Sequence, residues 1–518
     1  MISTHQLIEN AAGRLIPAEH GIPYAGVGGY RPKGKQSGPS IRSCADYPAS
    51  GDKQTDNLRA ALIRAGLTDG MVISTHHHFR NGDLVAEQLF SAAAELGVRD
   101  LIWLPSAVFP CHEPLLKHLE SGVIHHIEGS LNGAVGEFAS AGKMKGLAKL
   151  RSHGGRYRAI QDGDIQVDIA VIAAPSCDPF GNMTGAFGTA ACGVLGFAMA
   201  DAQYAEHVIA VTDNLVPFPC APWQIAGNHV DQVVVLDRIG DASQIISGTT
   251  QVTRSPDRLL IAELASKFVT AAGILKDGWS FQAGAGGTSL AFTSFVRDLM
   301  RERYVKARFI RGGSTSYVVE MLESGLADYV LDGQTFDLEG VRSVRENPNH
   351  LMTSPFNSYN YHGKGNVASM LDCALLGATE VDLDFNANVV SHSDGRMLHG
   401  IGGWQDALFS KCTILAVPTF RNRVPIIRDR LTTFCGPGEL VDVVVTERGI
   451  AINPKREDLI AATRDSGLPI RDLAQLKADA ETLCGGPPDS PTQDSPIVGL
   501  VTWVDGTILD TLRQVPAQ

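Results

Sequence analysis

One short passage of structure occurs twice in this chain, and the repetition constrains the fold more than any single motif. Residues 58–74, LRAALIRAGLTDGMVIS, give a helical apolar pattern, a glycine stop at Gly66, a turn at Asp69-Gly70 and an apolar strand. Residues 264–282, LASKFVTAAGILKDGWSFQ, repeat that order with Asp277-Gly278 in the turn. Further echoes follow in the same sequence: DLIWLPSAV (100–108) with ARFIRGGSTS (307–316), VDIAVIAAPSCDPFGN (167–182) with TEVDLDFNANVVSHSDG (379–395), and HVIAVTD (207–213) with DVVVTERG (442–449). The members of the last pair lie further apart than the others, which predicts a duplication with insertions in the second copy.

Short apolar β-rich runs alternate with helical stretches such as DLVAEQLFSAAAELG (83–97), the pattern of a mostly parallel sheet covered by helices. At 518 residues the chain also exceeds the size at which one core keeps growing. The expected fold is α/β, with two similar domains built on mostly parallel sheets, residues 57–255 and 256–480. The site is expected between them or at their strand ends. Residues 1–56, rich in Gly, Pro and Ser without apolar periodicity, read as an irregular arm, and 481–518 as a linker and C-terminal extension containing a hairpin.

Charge excludes some functions. With 44 Lys and Arg against 56 Asp and Glu the net charge is −12, and no block of basic residues appears, so neither nucleic acid nor an anionic membrane is an expected partner. No apolar run of about 18 residues occurs and the first twenty residues lack a signal-like core, so the protein reads as cytoplasmic. Nine scattered cysteines without a C-x-x-C pair read as reduced and mostly buried, and no metal-ligand spacing is present.

Two loops read G-x-G-G: Gly284, Gly286 and Gly287 in FQAGAGG, and Gly400, Gly402 and Gly403 in HGIGG. Neither is a dinucleotide fingerprint or a Walker loop. Glycines there let backbone N–H groups approach a ligand, either a pyrophosphate or the oxyanion of an acyl-transfer intermediate, unless the loops are plain turns.

GATEVDLDFNANVVSHSDGRMLHGIGGWQD resembles the C-terminal half of coenzyme A transferases, FQAGAGG their Q-x-G-x-G loop, and DVVVTERGIAINP their V-V-T-E-x-G-I-A segment. More narrowly, THHHFRNGD, SHGGR, ACGVLGFA and ENPNH join VDIAVIAAPSCDPFGN and GIAINP in resembling the citrate lyase alpha subunit family over residues 57–510. The resemblance implies a paired coenzyme A transferase-like fold and a citrate CoA-transferase acting on acyl-carrier protein: citrate exchanges with the acetyl group of the carrier thioester and acetate leaves. It implies a dephospho-CoA-type prosthetic group on a separate acyl-carrier (gamma) subunit, a lyase (beta) subunit, a hetero-oligomer, and acetyl-CoA as a surrogate donor. It also assigns Gln282, Ser314 and Thr315 to the thioester arm and the six loop glycines to catalysis. Citramalate presents similar groups and is not separated from citrate.

Coenzyme A transferases of this fold use a glutamate as nucleophile in a segment resembling G-x-H-T-E-M. Aligned through VVEMLESGL, that segment here is Gly312-Gly313-Ser314-Thr315-Ser316, without a glutamate. Glu320 and Glu323 follow on a predicted helix as solvated groups. This agrees with the implied direct attack of citrate on the thioester through a mixed anhydride. Competing readings are a free acetate-type coenzyme A transferase and a non-catalytic sensor on a related α/β fold.

Candidate carboxylate partners are His76, His77, His78 and Arg80 near a strand end, His153 and Arg156 in SHGGR, and Arg396 and His399 beside the second glycine loop. Asp178 and Asn182 read as turn-formers first. No G-x-S-x-G elbow surrounds Ser176, which disfavours a hydrolase triad.

Overall fold

The structure, a computed structural model, describes residues 6–30, 47–245, 250–361, 363–486 and 494–516; Cys44 and part of the N-terminal arm lie outside them. The first sheet contains β1 (Gln54–Thr55), β2 (Val72–Thr75), β3 (Leu101–Pro105), β4 (Ile124–Ile127), β5 (Ile169–Ala173), β6 (His207–Thr212) and β7 (Gln232–Val235), in the order β1-β7-β6-β5-β2-β3-β4. The second contains β8 (Trp279–Ala283), β9 (Ala307–Ser314), β10 (Ala327–Thr335), β11 (His350–Met352), β12 (Cys373–Leu376), β13 (Thr413–Ala416), β14 (Val443–Thr446) and β15 (Gly449–Ile452). Its order is β11-β10-β9-β8-β12-β13-β14-β15. Every pair is parallel except β14 with β15. Buried on both faces, these strands are continuous apolar runs; β5 is IAVIA, buried at all five positions.

Counted along the chain from β2, and from β8 with the edge strand β11 left out, six strands in each half share the spatial order 3-2-1-4-5-6. Matching aspartates lock matching strands. Asp168 accepts from Val72 N and Asp372 from Ser280 N, tying β5 to β2 and β12 to β8. Asp231 and Asp442 accept from Val208 N and Thr413 N, and the turn residues Asp69 and Asp277 accept from Arg99 N and Lys306 N. Asp178 and Asp382 each organise a tight turn by accepting from the backbone and side-chain amides of Asn182 and Asn386.

This topology corrects two of the expected echoes. By sheet position β6 matches β13, and β14 matches β7, so the pairing of 207–213 with 442–449 and the insertions inferred from it do not hold. The passage that matches 167–182 begins at Leu371, where Asp372 takes the place of Asp168. Buried parallel strands all carry the same Val- and Ile-rich signature, which cannot by itself distinguish neighbours.

The N-terminal stretch is not wholly irregular. Leu7–Glu9 and Leu15–Pro17 pair as an antiparallel hairpin, and β1 joins the first sheet. The C-terminal hairpin, Ile497–Thr502 with Ile508–Arg513, extends in parallel from Ala148–Leu150. Ile16 packs with Ile497, Leu500 and Ile508, so the order at the N-terminus comes from contacts with the far end of the chain that no local pattern signals.

Candidate active site

In open sheets of this strand order, ligands gather where the order reverses, beyond the carboxyl ends of the first and fourth strands. His76, His77 and His78 follow β2 there, and Gly284, Gly286 and Gly287 follow β8. The histidines stand just past the strand rather than in it. The halves thus carry imidazoles at one switch point and bare backbone at the other.

Two cavities open at these ends. The smaller, about 180 Å³, draws on both halves, with His77, Arg80 and His153 from the first and Gln334, His399 and Gly402 from the second. The larger, about 670 Å³, is lined by Gly284, Gly286 and Gly287 together with Arg258, Arg421 and again His399. His399 therefore stands where the two meet. Among the described residues, no Asp or Glu lines either cavity.

His77 is held on three sides. Its backbone N–H donates to Ser106 Oγ (2.9 Å), Nδ1 lies 2.6 Å from the same hydroxyl, and Nε2 lies 3.2 Å from Gln334 Oε1. With Nε2 donating to the amide oxygen, Nδ1 accepts the hydroxyl proton and the ring is neutral. Burial, reinforced by His153, keeps its pKa well below the usual imidazole range. The His153 ring stacks on His77 (5.1 Å between centroids) and packs at a tilt against Phe197 (4.2 Å), and burial, then Arg156 and Arg311, push its pKa down to about 3.

Arg80 sits at φ 52, a left-handed conformation uncommon for a residue with a side chain. Its guanidinium packs over the Phe336 ring at 4.6 Å, and Nη1 is buried without a hydrogen-bond partner. The residue as a whole is half-buried, and a guanidinium so placed at a concave site has the chemistry to receive a carboxylate. At the other wall His399 Nδ1 donates to Gly400 O (2.7 Å), which leaves Nε2 of the neutral ring as an acceptor. Burial lowers its pKa, partly countered by that bond.

Behind the smaller cavity the halves are clasped. Helix α1 (His153–Asp162) has Ser152 as its N-cap, and His153 N donates to Gly402 O at 2.8 Å. From the facing one-turn helix α2 (Trp404–Ala407), Asp406 accepts from Ser152 Oγ (3.2 Å) and Gly154 N (3.1 Å). A side chain at Gly154 would collide with Asp406 Oδ1, its Cβ lying 2.1 Å away, so glycine is what allows this approach. Burial raises Asp406 to about 7 against the opposing pull of Gly154 N and Ser152.

Several sequence candidates lie elsewhere. Arg156 does not face either cavity: its guanidinium is spent on Asp201, which also contacts His76 Nε2 at 3.0 Å. Burial alone would raise the Asp201 pKa, but Arg156 and His76 outweigh it and hold the carboxyl far below its usual range. His78 Nε2 donates to Ala173 O. Arg396 pairs with Asp394 and Glu137 and donates to Pro516 O. Gln282 accepts from Arg311, and Ser314 Oγ donates to Asp332 at 2.6 Å; both stand back from the large cavity. Thr315 lines only a narrow crevice beside Gly284, and its buried hydroxyl has no partner. Gly403 packs against Tyr359 rather than facing a cavity. Glu320 pairs with Arg297 and Arg301 and Glu323 with Arg342, all at the surface.

Sequence reasoning missed Gln334, Arg311, Asp406, Arg258 and Arg421. Arg311 is buried on β9 with its guanidinium 4.2 Å over Tyr359. Only its place on a repeated strand, directly after the apolar Phe309 and Ile310, could have marked it.

Two duplicated α/β halves with a shared cleft and a glycine loop at a switch point define a coenzyme A transferase-like protein. Similar architecture occurs in a Pseudomonas malonate decarboxylase hetero-tetramer (TM-score 0.58, 18% identity, covering 85% of this chain and 94% of that one). The match is far closer to an alpha subunit of citrate lyase from Streptococcus mutans, solved in complex with citrate (TM-score 0.92, 40% identity, 98% and 100% covered). The citrate lyase alpha chain of Klebsiella pneumoniae is 41% identical over 466 residues, covering 89% of this chain and 91% of that protein. The family model for the citrate lyase alpha subunit matches residues 51–515, and this chain belongs to that family.

Proposed function

We propose that this chain transfers the carrier thioester from acetate to citrate, within a complex that also contains an acyl-carrier subunit and a lyase subunit, and that it does so without an acyl-enzyme. One observation carries the mechanism: among the described residues, neither cavity is lined by a carboxylate. The two glutamates nearest the expected nucleophile position are engaged by arginines on the outer surface of a helix. The attacking carboxylate is then the substrate's own.

Citrate fits the smaller cavity. The Arg80 guanidinium supplies the charge for one carboxylate, neutral His399 offers its Nε2 as an acceptor for the citrate hydroxyl, and His77, with both ring nitrogens already engaged, shapes the wall without adding a cation. The thioester arm lies in the larger cavity and supplies the acyl group. A citrate carboxylate oxygen bonds to the thioester carbonyl carbon, the carbon–sulfur bond breaks, and the thiolate leaves behind an acetyl–citryl anhydride. The thiolate then attacks the citryl carbonyl and acetate departs with the bridging oxygen, so protons and electrons balance without an added reagent.

The protein supplies position and charge stabilisation. Gly286 and Gly287 open α3 (Gly287–Arg303), where the first backbone N–H groups have no partner within the helix and point toward the ligand end. They are the donors for the oxyanion formed at the thioester carbonyl. Mass spectrometry of the thioester formed with citrate, citramalate or acetate as acceptor tests the reading. Citryl thioester is expected; transfer to acetate alone contradicts it.

A further inference from the structure

Arg258 and Arg421 face the larger cavity from different elements, Arg258 from the helix Pro256–Ala271 and Arg421 from the two-stranded turn Phe420–Arg421/Val424–Pro425. Among the described residues neither guanidinium has a carboxylate partner. The chain as a whole carries a net charge of −12, and arginines elsewhere, such as Arg156, Arg297 and Arg428, do find carboxylate partners. Among the described residues no acidic side chain lines this cavity, so the two charges are not cancelled there. The like charge of Arg258 also works with burial to depress the Arg421 pKa, a repulsion that an anionic ligand relieves.

We infer that Arg258 and Arg421 clamp the phosphate-bearing portion of the thioester arm while its acyl end lies at Gly286 and His399. The inference rests on the proposed transfer reaction for the identity of the arm. The clamp itself requires only an anion of phosphate chemistry with two or more charges, for which paired arginines are suited. It makes these residues determinants of donor specificity, separate from the recognition of citrate by Arg80.

The test compares acetyl-CoA, which carries phosphates, with S-acetylpantetheine, which carries none, as donors to citrate. One charge-assisted contact corresponds to roughly tenfold in affinity, so the wild type is expected to favour acetyl-CoA in KM by about 10²-fold. In Arg258→Ala/Arg421→Ala that preference collapses toward unity; an undiminished preference in the folded double variant overturns the clamp. If the variant does not fold, the wild type still decides. KM for acetyl-CoA should rise with salt while KM for S-acetylpantetheine does not, and equal salt dependence contradicts the inference. ADP should compete with acetyl-CoA; inhibition that is not competitive would assign the arginines to a separate nucleotide site instead. Should no donor acylate citrate, the transfer reading fails, yet calorimetric binding of CoA to wild type and to the double variant still tests the clamp on its own.

Discussion

Arg156 and Asp201 meet in a two-pronged ion pair, with Nη1 2.9 Å from Oδ2 and Nη2 2.7 Å from Oδ1, and both side chains are buried. It ties α1 to the helix Met199–Tyr204 beneath the histidine cluster. Removing one partner strands the other charge, so Arg156→Met is expected to cost about 3–5 kcal/mol in urea denaturation while KM for citrate stays near the wild-type value. A stable variant with a strongly raised KM would return Arg156 to the substrate site.

Gly286 offers a clean probe of the oxyanion donors. Its φ is −72 and a Cβ there meets no atom within 4 Å, so valine fits the backbone and projects into open space at the loop. Gly286→Val is expected to lower kcat by roughly 10²–10³ with an unchanged melting curve. Activity near the wild-type level would reduce this loop to a turn. Gly402, at φ 61, is the poorer choice because any side chain strains the backbone before it tests chemistry.

Arg80→Leu should raise KM for citrate by roughly 10- to 100-fold, the loss of a charge-assisted contact, with a smaller change in KM for the acyl donor. Steady-state kinetics with each substrate varied separately check this. Equal effects on both substrates would place Arg80 between the two ligands.

Asp406 makes stability depend on pH in a predictable direction. Its folded-state pKa is raised from an ordinary carboxylate value to about 7, so the native state binds a proton more tightly than the unfolded chain does. Its contribution is fully present below about pH 4 and is lost as pH rises through 7, a swing on the order of 4 kcal/mol. The difference in stability between wild type and Asp406→Asn, followed from pH 4 to 8, should show that slope. A flat difference would mean that the clasp of α1 to α2 tolerates the charge.

The fold was legible because it is written twice. Gly66 and Gly273 stop matching helices, and Asp69-Gly70 and Asp277-Gly278 make matching turns at left-handed glycines, so each copy corroborates the other. His77, Arg80, His153 and His399 were legible for a related reason: they adjoin strand ends or glycine loops, where ligands collect. Gln334, Arg311 and Asp406 were not, because each acts through a partner from a distant segment: His77, Gln282 and Gly154 respectively. Arg156 misled for the converse reason, since nothing local announces that Asp201 neutralises it.

Transfer through a ternary complex means that neither the acyl group nor the carrier thiol is ever bonded to the protein. Incubation of the enzyme with acetyl or citryl thioester, followed by borohydride or hydroxylamine and peptide mapping, tests it most directly, because either reagent modifies a glutamyl thioester and leaves a free carboxylate untouched. Direct transfer gives no donor-dependent modification of any glutamate, full activity in Glu320→Gln, and intersecting double-reciprocal lines from simultaneous binding of both substrates. Modification of Glu320 or Glu323 with matching loss of activity, accompanied by the parallel lines of a ping-pong scheme, would contradict it.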